Sequence, residues 1–205
     1  MIERLIFFVV IFGLSAVIHE YSHAWMANRL GDPTARHLGR LTLNPLAHID
    51  VFGTVVLPIV VYLVTWGRAV FAYAKPVPFN PYNLRDQRWG PAKIAAAGPG
   101  SNLLIAVGFG LLVRYLPPSG FMVLPVYITY ANILLAVFNS LPIPPLDGSK
   151  LLFAVLPPSM DHVRESLERY SFIIFIVFIL FGFQLIVLPI VYVVFFLITG
   201  RFPAF

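Results

Sequence analysis

LIFFVVIFGLSAVIHEYSHAWM, residues 5–26, is a run of apolar side chains with His19, Glu20 and His23 set into its second half. A helix needs about 20 mostly apolar residues to cross a bilayer, and this run has that length. A helix places positions i and i+4 on one face, so His19 and His23 project together. A charged side chain at mid-membrane costs at least about 2.5–3.5 kcal/mol on insertion scales. Three polar groups within one turn therefore need a compensating partner. The spacing H-E-x-x-H suggests one: two imidazoles grip a zinc ion, and the intervening Glu reaches water activated by the metal.

The rest of the chain is as apolar as this helix. Of 205 residues, 59% are hydrophobic and only 11% charged, where a soluble domain carries about 25% charged. Those figures exclude an ordinary soluble enzyme, a disordered chain and a nucleic-acid binder. The net charge of +5 fits basic loops on the cytoplasmic side of a membrane. The absence of Cys excludes disulfides, thiolate zinc ligands and a cysteine nucleophile. The length suits one integral membrane domain over residues 1–205.

Further apolar stretches cover residues 51–66, 94–113, 121–141 and 170–199. They predict an all-α protein with about 4–6 transmembrane helices. The last stretch is the longest, and Gly182, Gln184 and Pro189 offer a kink. Residues 51–66 are short for a span and contain Pro58. Basic residues flank them on both sides: Arg29, Arg36 and Arg40 before, Lys75, Arg85, Arg88 and Lys93 after. Both loops stay cytoplasmic only if the segment re-enters rather than crosses, which is the expected arrangement. On that orientation the first helix runs inward, and Arg114 is an odd positive charge in an outer loop. The N-terminal run lacks a small-x-small cleavage site and reads as a retained helix. GRLTLNP, residues 39–45, alternates briefly and suggests a short β-like membrane-associated loop. Pro76, Pro78 and Pro81 make KPVPFNP extended or turn-like.

Two His ligands do not complete a catalytic zinc site, which usually has three protein ligands and an open position. Asp147 is the candidate third ligand. It ends NSLPIPPLD, residues 139–147, where the prolines break the helix. Irregular backbone at membrane depth survives only inside protein or beside a water-filled cavity. The competing role for Asp147 is a helix cap before Lys150. His48 and Asp50 could orient a ligand or start a second metal site, but two ligands without a third seldom suffice. His37 and His162 read as solvated. Gly108 and Gly110 suggest close helix packing. Tyr and Trp residues near stretch ends read as interface anchors.

HEYSH, GPGSN (residues 98–102) and NSLPIPPLDG (residues 139–148) occur in an order that resembles the site-2 proteases, the M50 intramembrane zinc metalloproteases. The match spans residues 19–148 and is similar to compact prokaryotic forms without PDZ or CBS domains. The resemblance implies one zinc held by His19, His23 and Asp147, with Glu20 as general base. It also implies that Asn102 and Asn139 hold substrate backbone or stabilise an oxyanion, a task suited to amide donors. Their simpler role is hydrogen bonding between helices. The implied activity is cleavage of peptide bonds within or near transmembrane segments. The partners are then a membrane-protein substrate and the lipid bilayer of a prokaryotic inner or plasma membrane, with no nucleic acid. Oligomeric state is not readable. The alternatives are a metal or proton transporter, which intramembrane His, Glu and Asp would also serve, and an inactive scaffold. The sequence shows no repeated halves to favour transport.

Overall fold

The first apolar run folds as one long helix, α1 (Ile2–Arg29), and the structure is built by laying later helices against it. The structure, a computed structural model, describes residues 2–64, 74–117 and 122–203. After α1 come the short α2 (Thr34–His37), then π-type turns at Val51–Val56 that lead into α3 (Leu57–Val64). The central helix α4 (Gly90–Tyr115) packs against α1, α5 (Val123–Asn139), α6 (Gly148–Val155) and α9 (Leu188–Thr199). Between α6 and α9 lie the surface helix α7 (Asp161–Arg169) and α8 (Ser171–Val177).

Among the described residues, three helices are long and apolar enough to cross a membrane: Ile6–Arg29, Gly90–Tyr115 and Ser171–Thr199. The helix Val123–Asn139 is apolar and has 17 residues, the lower end of the spanning range of about 17–25. The last span runs unbroken from α8 into α9, so the chain there forms no hairpin. Its irregularity is a stretch of π-type turns at Phe178–Val187, which contains Gly182 and Gln184, two of the expected kink positions.

Side chains of these helices divide between a small interior and a broad apolar exterior. Ala106, Ile133, Phe178, Val187, Val191 and Phe195 are buried together where α4, α5 and the last span meet. Val9, Leu104, Phe181 and Leu185 are exposed, as lipid-facing residues should be. Gly110 lets α9 come close, because a Cβ there would lie 2.4 Å from Ile198 Cγ2. Gly108 has no such role; nothing lies within 4 Å of its Cβ position. At helix ends, Arg29 lies over Trp25, Arg114 over Tyr115 and Arg169 over Tyr170, at 5.4–6.0 Å. Amphipathic rings with a neighbouring cation suit the headgroup region.

The loops differ from expectation in one respect. No strand forms among the described residues, so the β-like reading of GRLTLNP is corrected. Asn44 accepts from the Leu46 N–H and caps a 3-10 turn at Pro45–His48. Arg40 donates to the Ala47 carbonyl, which curls the loop onto itself instead of offering an edge. The loop at residues 74–80 has no regular secondary structure, and Pro76 and Pro78 have no N–H to give a ladder.

The flanks of the doubtful segment meet. The Lys75 N–H donates to the His48 carbonyl at 2.9 Å. A single crossing would leave those flanks about 30 Å apart, so their contact is what a re-entrant course predicts. The course of residues 65–73 lies outside the described residues.

Asp32 ties these loops to α1. Its carboxylate accepts from Thr34 Oγ1, the Thr34 N–H, the Asn80 N–H at 2.7 Å and Asn83 Nδ2 at 2.8 Å. Burial pushes the Asp32 carboxyl up, but these donors outweigh it and hold it below the ordinary value. A depressed carboxyl stabilises the folded loop above its unfolded pKa, and that contribution fades as pH falls below it. Exchange protection of the Asn80 amide, corrected for intrinsic rate, should therefore fall below about pH 4. Asp32→Ala should lose that protection already at neutral pH. Unchanged protection in both experiments would remove Asp32 as the clasp.

Candidate metal centre

α1 carries His19 and His23 inward, where both are buried. α4 presses against them through Gly98. A Cβ on Gly98 would lie 2.5 Å from His23 Nε2 and 2.6 Å from His19 Nε2. Only a glycine leaves the space in front of both nitrogens open.

Asp147 reaches the same point from the other side. It sits at the N-cap position of α6, yet its side chain makes no capping bond. Instead Oδ2 lies 3.0 Å from His19 Nε2 and 3.1 Å from His23 Nε2. The loop after α5 aims it there. Gly148 lets the loop fold back, since a Cβ would lie 2.2 Å from the Ser140 carbonyl oxygen and 2.4 Å from that of Leu141.

The far sides of the imidazoles decide their protonation. His23 Nδ1 faces the Ile94 carbonyl at 2.7 Å, which can only accept, so Nδ1 carries the proton. His19 Nδ1 faces Asn102 Oδ1 at 2.6 Å, which also accepts. Both Nε2 lone pairs then point at a carboxylate oxygen. Three acceptor atoms crowd together with no donor between them, an arrangement a cation resolves. A tetrahedral zinc with bonds of about 2.0–2.2 Å has ligand atoms roughly 3.3 Å apart, close to the spacing here. The residues fit a zinc ion.

Glu20 stands beside this trio, and its carboxylate lies with the two His nitrogens in one cluster of potential ligands. Its Oε2 accepts from the Val77 N–H at 3.2 Å, so the loop at residues 74–80 reaches over the site. The other predicted residues fall differently. Both Nδ2 hydrogens of Asn102 have acceptors, the Ser15 carbonyl at 3.2 Å and Asn132 Oδ1 at 2.8 Å. Donation to an oxyanion would require breaking one of these bonds. Asn139 Nδ2 donates to the Leu135 carbonyl within its own helix and does not join the trio. His48 Nε2 contacts the Thr42 carbonyl at 2.8 Å, and Asp50 accepts from the Gly53 N–H. Neither approaches His19 or His23. His37 and His162 are exposed.

Ser15, Asn132 and Val77 were not singled out from sequence. Ser15 stands one turn before His19 on the same helix face, which is a usable signal. Asn132 is an amide midway along an apolar helix, and Val77 acts through its backbone.

Comparison with known proteins agrees with this geometry. A family model described as Peptidase family M50 matches residues 116–182, a range that includes Asp147. YwhC of Bacillus subtilis (strain 168), named as a zinc metalloprotease, is 35% identical over 182 residues, 83% of this chain and 78% of the relative. Rip2 of Mycolicibacterium smegmatis, named likewise, is 29% identical over 184 residues, 85% of this chain and 68% of that protein. MJ0611 of Methanocaldococcus jannaschii, also so named, is 41% identical over 61 residues, 29% of this chain and 32% of that protein. No solved structure matches. With a relative this similar along most of both chains, and with HEYSH and Asp147 converging on one point, the chain belongs to peptidase family M50, the site-2 protease family.

Proposed function

We propose that the protein is a zinc metalloendopeptidase that cleaves peptide bonds within or near transmembrane segments of other membrane proteins, in a prokaryotic inner or plasma membrane. The observation that carries this reading is the approach of Asp147 Oδ2 to His19 Nε2 at 3.0 Å and to His23 Nε2 at 3.1 Å, with both histidines on a helix apolar enough to cross a bilayer. His19, His23 and Asp147 would hold one zinc ion per chain. Zinc, when bound, supplies an acidified water and polarises a carbonyl. Glu20 would act as the general base, taking a proton from a water at the site and passing it to the leaving amine. Gly98 keeps side chains out of the reaction space, and the loop at residues 74–80 shields it.

Substrate needs an extended stretch, because a helix hides its peptide bonds. An open cleft of about 660 Å³ lies between Phe79, Pro81, Pro144, Pro145, Lys150 and Arg164. It adjoins the loop that carries Asp147 and gives an unwound segment room. Such a segment is what recognition by main-chain pairing uses.

The test is zinc content per chain in detergent, with cleavage of a reconstituted transmembrane substrate. Wild type should carry about one zinc. Asp147→Ala should lose most of it and all measurable cleavage while keeping its helix content. A folded wild type that takes up no zinc when metal is supplied would sink the proposal.

A further inference from the structure

Behind His19, away from the metal, lies a polar cluster that the catalytic reading does not use. Ser15 on α1, Asn102 on α4 and Asn132 on α5 are all buried, the two amides with no exposure. Asn102 Nδ2 donates to Asn132 Oδ1 at 2.8 Å and to the Ser15 carbonyl at 3.2 Å. Asn132 Nδ2 donates to Ser15 Oγ at 2.9 Å and to the Ile128 carbonyl at 2.8 Å. An amide has one acceptor end and two donor hydrogens, and both amides here use all of them.

The directions of these bonds are forced. Backbone carbonyls only accept. The Ile128 carbonyl therefore fixes the Nδ2 end of Asn132, which turns Oδ1 toward Asn102. That oxygen and the Ser15 carbonyl together fix the Nδ2 end of Asn102. Its Oδ1 is then turned to His19 and can only accept, so the proton must sit on His19 Nδ1. The lone pair is left on Nε2, facing Asp147. A flipped Asn102 would set its Oδ1 against two other acceptors, the Ser15 carbonyl and Asn132 Oδ1, in a dry interior, at high cost.

We propose that Asn132 and Ser15 are positioning residues of the metal centre, holding the Asn102 amide in the one orientation that makes His19 a ligand through Nε2. The inference rests on the zinc reading above. It differs from simple interhelical glue, which would support the fold but leave the metal indifferent.

The experiment measures zinc affinity by chelator competition, and the visible spectrum after cobalt replacement, on folded protein in detergent. Loss of a partner behind a metal-bound His typically costs about 10- to 100-fold in affinity. Asn132→Leu should fall in that range, with a changed cobalt spectrum. Ser15→Ala removes only Oγ and keeps the carbonyl. It should give a smaller loss in the same direction, and it keeps the test available if Asn132→Leu does not fold. Adding Asn132→Leu to Asn102→Leu should lower affinity little further, because Asn132 acts through Asn102. Wild-type affinity and cobalt spectrum in folded Asn132→Leu or Ser15→Ala, with only thermal stability reduced, would overturn the proposal. So would fully additive losses in the double variant. If wild type itself binds no zinc, the protease reading falls first and this inference with it.

Discussion

Gly98→Ala will strip the metal from the protein while leaving its helices in place. Alanine is the better helix former, so α4 itself should not suffer. The added methyl, however, would stand about 2.5 Å from both ligand nitrogens, far inside contact distance. The imidazoles cannot swing away cheaply, because each is held from behind, His19 by Asn102 and His23 by the Ile94 carbonyl. Zinc affinity should drop more than about 100-fold, beyond the usual cost of losing one outer partner. Cleavage should vanish with it, while circular dichroism stays at the wild-type value. Retention of zinc by a folded Gly98→Ala protein would mean that α4 does not form the wall of the site.

Glu20→Gln should give the opposite pattern: zinc kept, turnover lost. The three atoms that converge on the metal position belong to His19, His23 and Asp147, so an amide at position 20 removes none of them. Glutamine also keeps an acceptor for the Val77 N–H. What it lacks is basicity, and a general base contributes about 10²- to 10⁴-fold. The rate should fall by that factor with zinc content unchanged. A variant that cleaves at the wild-type rate would dismiss Glu20 as the base. A protein that moves metal ions across vesicles and stops doing so in this variant, without cleaving anything, would favour the transporter.

Much of this centre was legible beforehand because its chemistry is local in sequence. HEYSH needs only one helical turn to bring two imidazoles together, and helical period is readable. Asp147 was legible as a carboxylate in broken backbone between apolar helices, where few other roles exist. Its alternative role as a cap could be settled only in three dimensions, by the missing capping bond. The roles of Asn102 and Asn139 were harder. An amide in a membrane helix can serve substrate, ligand or neighbouring helix, and composition is the same for all three. Ser15, Asn102 and Asn132 meet only because three helices cross at one depth, which no spacing encodes. The β-like loop was misread because alternation over a few residues says nothing about whether a second strand exists to pair with.

The bond between the Val77 N–H and Glu20 is made by main chain. Pro76 and Pro78 on either side have no such hydrogen to offer, so Val77 is the donor between them. Both ends of this strap are likewise held through backbone N–H groups, those of Lys75 and Asn80. A main-chain donor survives every substitution at position 77 except proline. Evolution is thus free to rewrite the side chains that overhang the reaction space without disturbing the carboxylate beneath them. Recognition can drift from one substrate to another while the chemistry stays put.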